Sequence, residues 1–170
     1  TVFREGREAA HQTTAFTIDS AAAISGTVIA DPSVVFSGGT VLADYTVQNS
    51  GNADAAAVEL TIAVIDPETQ AILYAQQETV ELSRNSSRTG QVSFATTGYG
   101  LKPYVVVLSG NYAGTTRTLA SAAFTVKDLR APVVTILEPA SGMNYTTTVP
   151  LKVAVSDDAS GVDRVEYQLD

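Results

Sequence analysis

The chain lacks most of the residue types from which small catalytic and cofactor sites are built. Its 170 residues include no cysteine, no tryptophan and a single histidine, and only 7% are aromatic. The absence of cysteine excludes a disulfide framework but does not indicate a cellular compartment. A Ser-His-Asp triad would have to use His11, and no GxSxG motif supplies a nucleophile. We therefore interpret His11 as a surface strand residue, predict no catalytic or cofactor-binding residues, and expect no enzyme activity.

Clustered positive charge and long apolar runs are also missing. Ten basic residues, scattered singly, face eighteen acidic ones, for a net charge of −8. Nucleic acids and anionic membrane surfaces both require a basic face, so we expect neither as a partner. No apolar run approaches the roughly 18–20 residues that cross a bilayer, so no membrane insertion is predicted. The chain starts in a strand-like stretch without an initiator methionine, and we expect a processed chain or a piece of a longer one.

The stretch from Thr40 to Thr69 is the clearest pattern in the chain. Two segments with alternating apolar residues flank the turn-forming Ser50-Gly51-Asn52. Alternation with a period of two is typical of strands with one buried face. This stretch predicts a pair of half-buried strands.

An internal repeat of 107–108 residues organises the rest of the sequence. Ala15–Ile18 recurs as Ala123–Val126, 108 residues later (124 − 16 between the phenylalanines). Other matches at this spacing are Gly6 with Gly114, Asp31-Pro32 with Glu138-Pro139, Thr40-Val41 with Thr148-Val149, and Val58–Ile62 with Val165–Leu169. Such a period predicts tandem structural units. We assign 1–19 to the closing strand of a preceding unit, 20–128 to a complete unit, and 129–170 to the first strands of an incomplete following unit.

The central unit reads as an all-β domain. Seven strands are predicted, and the stretch Ala71–Leu82 is expected to bend or break near a sheet edge. Their bounds are Ile24–Ala30, Thr40–Asn49, Ala56–Ile65, Ala71–Leu82, Arg88–Ala95, Lys102–Leu108 and Thr115–Val126. Between them, a loop is predicted at Asn85-Ser86-Ser87 and a turn at Gly110-Asn111. Seven short strands in about 100 residues favour an immunoglobulin-like β-sandwich. An open or barrel-like all-β unit is the alternative.

The text LADYTVQNSGNADAAAVELTIAVI at 42–65 resembles cell-adhesion-related and other immunoglobulin-like domains of large bacterial surface proteins. LASAAFTV at 119–126 resembles their closing strand, and 132–170 is similar to the first half of another such module. The resemblance implies a protein of the bacterial cell surface or extracellular space with an array-forming, adhesive or structural role. It implies no catalytic or binding residue.

One acidic segment is a candidate calcium site. Asp157, Asp158 and Asp163 lie close in sequence, and Asp128 at the linker is a possible fourth ligand. Calcium takes six to eight oxygen ligands, of which these carboxylates would supply a part. The alternative is a plain polar turn, because Asp and Ser side chains also cap their own backbone.

Two other groups of residues raise questions of function. Tyr99 and Tyr112 stand beside glycine turns, where they would contribute to a small sugar- or protein-contact patch. Tyr45 and Tyr104 lie on apolar rows and are expected in the core. The three lysines, Lys102, Lys127 and Lys152, raise the question of a Lys–Asn crosslink, which requires a buried lysine, asparagine and acid together.

Three functional hypotheses follow. The first is a non-catalytic stalk or spacer of tandem immunoglobulin-like units, whose partners are neighbouring units of the same or an adjacent chain and other surface proteins. The second is a filament subunit assembled head-to-tail, in which 1–18 of one chain completes 132–170 of the next. The third is an accessory domain of a secreted enzyme.

Overall fold

The computed structural model describes residues 2–4, 7–10, 13–15, 19–128, 130–139, 141–144, 146, 148–157 and 160–166. Strand is the regular structure in this part of the chain, as the sequence predicts. The first two strands, β1 (Val2–Arg4) and β2 (Arg7–Ala10), pair with each other in an antiparallel ribbon. The last two, β11 (Val133–Glu138) and β12 (Lys152–Ser156), form a second antiparallel pair. The assignment of both ends to neighbouring units stays a prediction.

Between these pairs, eight strands form two sheets that pack face to face. They are β3 (Ile24–Asp31), β4 (Val34–Phe36), β5 (Thr40–Asn49), β6 (Ala55–Ile65), β7 (Ile72–Leu82), β8 (Ser86–Ala95), β9 (Pro103–Tyr112) and β10 (Thr115–Lys127). One sheet has the order β4-β10-β9-β6-β7 and the other β3-β5-β8. The predicted all-β sandwich is confirmed.

The core lies between the two sheets, on the apolar rows that the alternation predicted. Leu60, Ile62 and Leu108 are at most 1% exposed. Phe94 of β8 lies 5.6 Å from Phe124 of β10, ring centre to ring centre, which joins the sheets directly. The buried residues form one continuous cluster, so hydrophobic burial at roughly 25 cal/mol per Å² stabilises both sheets together.

Four details of the strands differ from the sequence prediction. β4 was missed because a three-residue strand is too short to show a period; it pairs in parallel with the end of β10. β7 runs unbroken, because polar residues are tolerated at an edge that solvent reaches. β8 begins at Ser86 within the predicted loop. The predicted turn at Gly110-Asn111 lies inside β9, and Gly110 serves close packing instead: an added Cβ would lie 3.0 Å from the Leu119 side chain.

Candidate functional site: the two junctions of the sandwich

The incoming segment, residues 19–23, reaches the sandwich beside the turn that joins β5 to β6. The Asn52 amide forms two hydrogen bonds with the start of this segment. Its Oδ1 accepts a hydrogen bond from the Ala21 N–H (2.8 Å), and its Nδ2 donates to the Asp19 carbonyl (3.1 Å). The Ser50 N–H donates to the Ala23 carbonyl over 2.9 Å. The incoming segment is thus hydrogen-bonded along its length before β3 begins.

Position 51 must be glycine because its backbone lies very close to the backbone of the incoming segment. A Cβ at Gly51 would overlap the Ala21 carbonyl oxygen and lie 2.5 Å from the Ala23 nitrogen. Real Cβ atoms do not approach backbone so closely, so glycine is needed because two backbones meet here. The turn motif that the sequence shows at 50–52 is therefore a backbone clamp on the incoming segment.

Asn49 anchors the clamp from inside the sandwich. It is 0% exposed. Its Oδ1 accepts hydrogen bonds from the N–H groups of Ala23 (3.1 Å) and Gly51 (3.0 Å). Its Nδ2 donates to the carbonyls of Ala53 (2.8 Å) and Leu82 (3.1 Å). One buried amide therefore ties the incoming segment to β5 and to the end of β7.

The outgoing junction is held by Asp128. Its carboxylate accepts hydrogen bonds from the Arg130 N–H (2.9 Å), the Ser160 N–H (3.0 Å) and the Ser160 hydroxyl (2.6 Å). The Ser160 hydroxyl bond, followed by the Arg130 backbone bond, holds the pKa of Asp128 below its usual range. Asp128 thus links the end of the sandwich to a loop 32 residues further along.

The calcium candidates are only partly brought together. Asp157 Oδ1 accepts hydrogen bonds from the backbone N–H groups of Ser160 (2.9 Å) and Gly161 (3.1 Å), so Asp157 and Asp128 converge on Ser160. Asp163 is exposed, and Asp158 lies outside the described residues. In the part of the chain that the structure describes, no three His, Cys, Asp or Glu side chains are grouped to hold a metal ion. Calcium binding stays a prediction.

Lys102 meets acids rather than an asparagine. Its Nζ lies 2.8 Å from Asp66 Oδ2 and 2.6 Å from Glu68 Oε2. Asp66 is 7% exposed, and the Lys102 hydrogen bond lowers the pKa of its carboxyl to about 2. The same contacts raise the pKa of Lys102. Amide formation needs a neutral amine and a protonated acid, so this arrangement favours a stable ion pair.

The tyrosines are separated rather than clustered. Tyr45 and Tyr104 are buried as expected, and burial followed by a hydrogen bond to Glu78 raises the pKa of Tyr45 to about 12. Tyr99 packs on Tyr104 at 4.9 Å, near the start of β9, whereas Tyr112 ends that strand. The structure does not bring Tyr99 and Tyr112 into one patch. His11 lies outside the described residues.

Comparison with known proteins identifies a matching family and solved structures of similar fold. Residues 132–170, less than a quarter of the chain, match the Bacterial Ig domain family. No curated protein matches the chain. The CARDB domain of a Pyrococcus furiosus protein, solved in complex with di-metal ions, has a TM-score of 0.52 and 15% identity, covering 66% of this chain and 99% of that domain.

Two longer proteins also match over part of their length. An alkylpurine DNA glycosylase of Pseudomonas fluorescens, bound to DNA containing an abasic site analog, has a TM-score of 0.48 and 14% identity over 61% of this chain and 30% of its own. A β-glucosidase from Erythrobacter marinus has a TM-score of 0.43 and 11% identity over 62% and 15%. This chain thus spans less than a third of either protein.

No helix among the described residues is long and apolar enough to cross a membrane. At 15% identity the similarity to the CARDB domain concerns the fold. The resemblance to bacterial immunoglobulin-like domains is therefore confirmed: the sandwich has their fold, and residues 132–170 match a bacterial Ig domain family.

Proposed function

We propose that this chain is a non-catalytic spacer segment of an extracellular bacterial protein, built of tandem immunoglobulin-like units with fixed junctions. The observation that carries the proposal is that both ends of the sandwich are tied down by side chains. Asn49 and Asn52 bind the incoming segment, and Asp128 binds Ser160 beyond the outgoing junction. A flexible linker has no such partners, so these bonds favour a stalk that holds its units at a set distance and angle.

The repeat supports the tandem arrangement. β11 ends at Glu138, 107 residues after β3 ends at Asp31 (138 − 31), and a proline follows each. β3 pairs antiparallel with β5, and β11 pairs antiparallel with β12 in the corresponding part of the sequence. These strands are therefore proposed to begin a second unit of the same kind.

The test is a distance measurement across the outgoing junction by pulsed electron paramagnetic resonance. Because the chain has no cysteine, spin labels at Thr89→Cys and Thr135→Cys, both exposed positions, are unique. We expect one narrow distance distribution that broadens in Asp128→Ala. Asp163→Ala removes the same charge from the following segment and should leave the distribution narrow. A broad distribution in the otherwise unchanged chain overturns the fixed-junction spacer.

One observation favours a second candidate, assembly by strand donation. Val133, Val134 and Ile136 of β11 are 60–65% exposed, although neighbouring strand residues point to opposite faces. Both faces of the β11–β12 pair therefore present aliphatic surface, which further strands would cover. Concentration-dependent filaments in negative-stain electron microscopy, lost on deletion of 1–18, would support donation; a monomer at every concentration would exclude it.

A further inference from the structure

The two sheets of the sandwich present different outer faces to solvent. On the three-stranded sheet, the register places Thr27, Thr46 and Thr89 side by side in one cross-strand row. Polar residues are expected on the outer face of an antiparallel sheet that water covers. The outer face of the five-stranded sheet departs from this pattern near the outgoing junction, where a row of aliphatic residues crosses it.

All five strands of this sheet contribute to the row, which we call the apolar band. The register aligns one residue from each of β10, β9, β6 and β7, and β4 adds a neighbour on its own side. The band consists of Val34, Ala123, Val105, Ile65, Ile72 and Leu73. Its residues point outward because the positions that alternate with them, such as Val64 and Val106, are fully buried.

The two edges of the apolar band are its most exposed parts. On β7, a register shift sets Ile72 and Leu73 together opposite Ile65, as in a β-bulge. Ile72 is 66% exposed and Leu73 is 41% exposed. On β4, Val34 is 41% exposed and the nearby Phe36 is 44% exposed. This face therefore shows roughly 500 Å² of apolar surface, at the upper end of what a monomer leaves uncovered.

The distribution of charge around the apolar band suits a second copy of the same chain. Two copies repel each other because each has a net charge of −8, so their contact favours a surface without acidic residues. The six residues of the band are all uncharged. At the end of the sheet next to the outgoing junction, Lys127 pairs in register with Phe36. Glu68, held by Lys102 and with a side chain 71% exposed, lies at the same end in the turn between β6 and β7.

We propose that two copies of this chain associate side by side through the apolar band, related by a two-fold axis along β9, the middle strand of the sheet. This rotation places β4 over β7, so that Val34 of each copy contacts Leu73 of the other. It also places β10 over β6, which brings Lys127 of each copy toward Glu68 of the other. Two such faces bury about 1,000 Å², a small interface that indicates a weak, reversible dimer. The pairing goes beyond the spacer role and does not require fixed junctions.

The experiment is sedimentation equilibrium of the full chain at concentrations up to about 1 mM. We expect a monomer–dimer equilibrium with a dissociation constant on the order of 10–100 µM, and no larger species, because a two-fold contact closes on itself. Ile72→Lys should weaken the dimer roughly tenfold or more, because the symmetry removes this aliphatic contact twice. The matched control is Ile29→Lys, which adds the same charge to the outer face of the other sheet at a residue 64% exposed. It should leave the equilibrium unchanged.

A second pair of variants tests the same face without changing an apolar residue. Lys127→Glu should weaken the dimer about fivefold, because repulsion from Glu68 replaces an exposed ion pair at two places. Arg117→Glu makes the same change of charge at an exposed position near the opposite end of β10 and should have a much smaller effect. Equal weakening by both variants would assign the effect to net charge and overturn the arrangement.

Three results of the sedimentation experiment would overturn the proposal. The first is a monomer at every concentration. The second is a dimer that Ile72→Lys leaves intact, or that Ile29→Lys weakens equally. The third is an assembly that grows beyond two chains and is lost on deletion of 1–18, which would assign the association to strand donation instead.

Discussion

Asn49→Ala should lower the free energy of unfolding of the sandwich by about 2–4 kcal/mol, because each buried partner left unpaired costs roughly 1–3 kcal/mol and water reaches some of them. The substitution removes the hydrogen bonds to the N–H groups of Ala23 and Gly51 and to the carbonyls of Ala53 and Leu82. The bond to Leu82 is fully buried, and the others are partly buried. The loss is large against the 5–15 kcal/mol typical of a whole domain.

Urea unfolding followed by far-UV circular dichroism and tyrosine fluorescence measures this loss, since the chain has seven tyrosines and no tryptophan. With a slope of about 1–3 kcal/mol per molar urea, a loss near 3 kcal/mol moves the midpoint by roughly 1–3 M. Asn52→Ala is the matched control, because its two hydrogen bonds are exposed; it should cost less than about 1 kcal/mol. If the two variants are equally destabilised, burial of the Asn49 amide is not what stabilises the clamp.

Three further predictions concern two glycines and an ion pair. Gly51→Ala should accelerate hydrogen exchange in the incoming segment about tenfold by local opening, whereas Gly100→Ala, whose added Cβ meets only the Tyr104 hydroxyl at an ordinary 3.5 Å, should not; equal rates in both would contradict the close contact. Gly90→Ala places a methyl group against the Tyr45 ring and should cost about 1–3 kcal/mol in urea titrations, as overpacking does; wild-type stability would show that the ring moves aside freely. The pKa of Asp66 is lowered to about 2 by its lysine partner, so its stabilisation is complete above the ordinary carboxyl pKa and is lost as pH falls from about 4 to 2. Asp66→Asn should remove that part of the pH profile of unfolding, and an unchanged profile would assign the acid sensitivity to other carboxylates.

Several strands follow the sequence closely. The alternation in 40–49 predicted the bounds of β5 as the structure has them. The apolar row of β6 is buried as predicted, and β7 is an edge strand. Strand periodicity is visible locally because successive side chains point to opposite faces and only one face is buried.

Local patterns in the sequence did not predict the contacts at the junctions. Gly51 and Asn52 were correctly predicted to form a turn. No neighbouring residue in the sequence indicates that they also bind a segment some 30 residues earlier in the chain. Asp66 and Lys102 meet across 36 residues, and no local pattern in the sequence pairs them. The glycine in β9 was misread as a turn because glycine serves turns and close packing equally.

By itself, the sequence determined the class of the fold, the positions of most strands and the repeat spacing. Hydrophobic burial adds up over many residues, and the order of apolar and polar residues along the chain decides which face of each strand is buried. Only the tertiary structure decided which polar residues meet. Hydrogen bonds act over about 3 Å and depend on direction. Whether Asn49 faces the Ala23 N–H, or Asp128 faces Ser160, is therefore set by how the sheets and connecting segments pack.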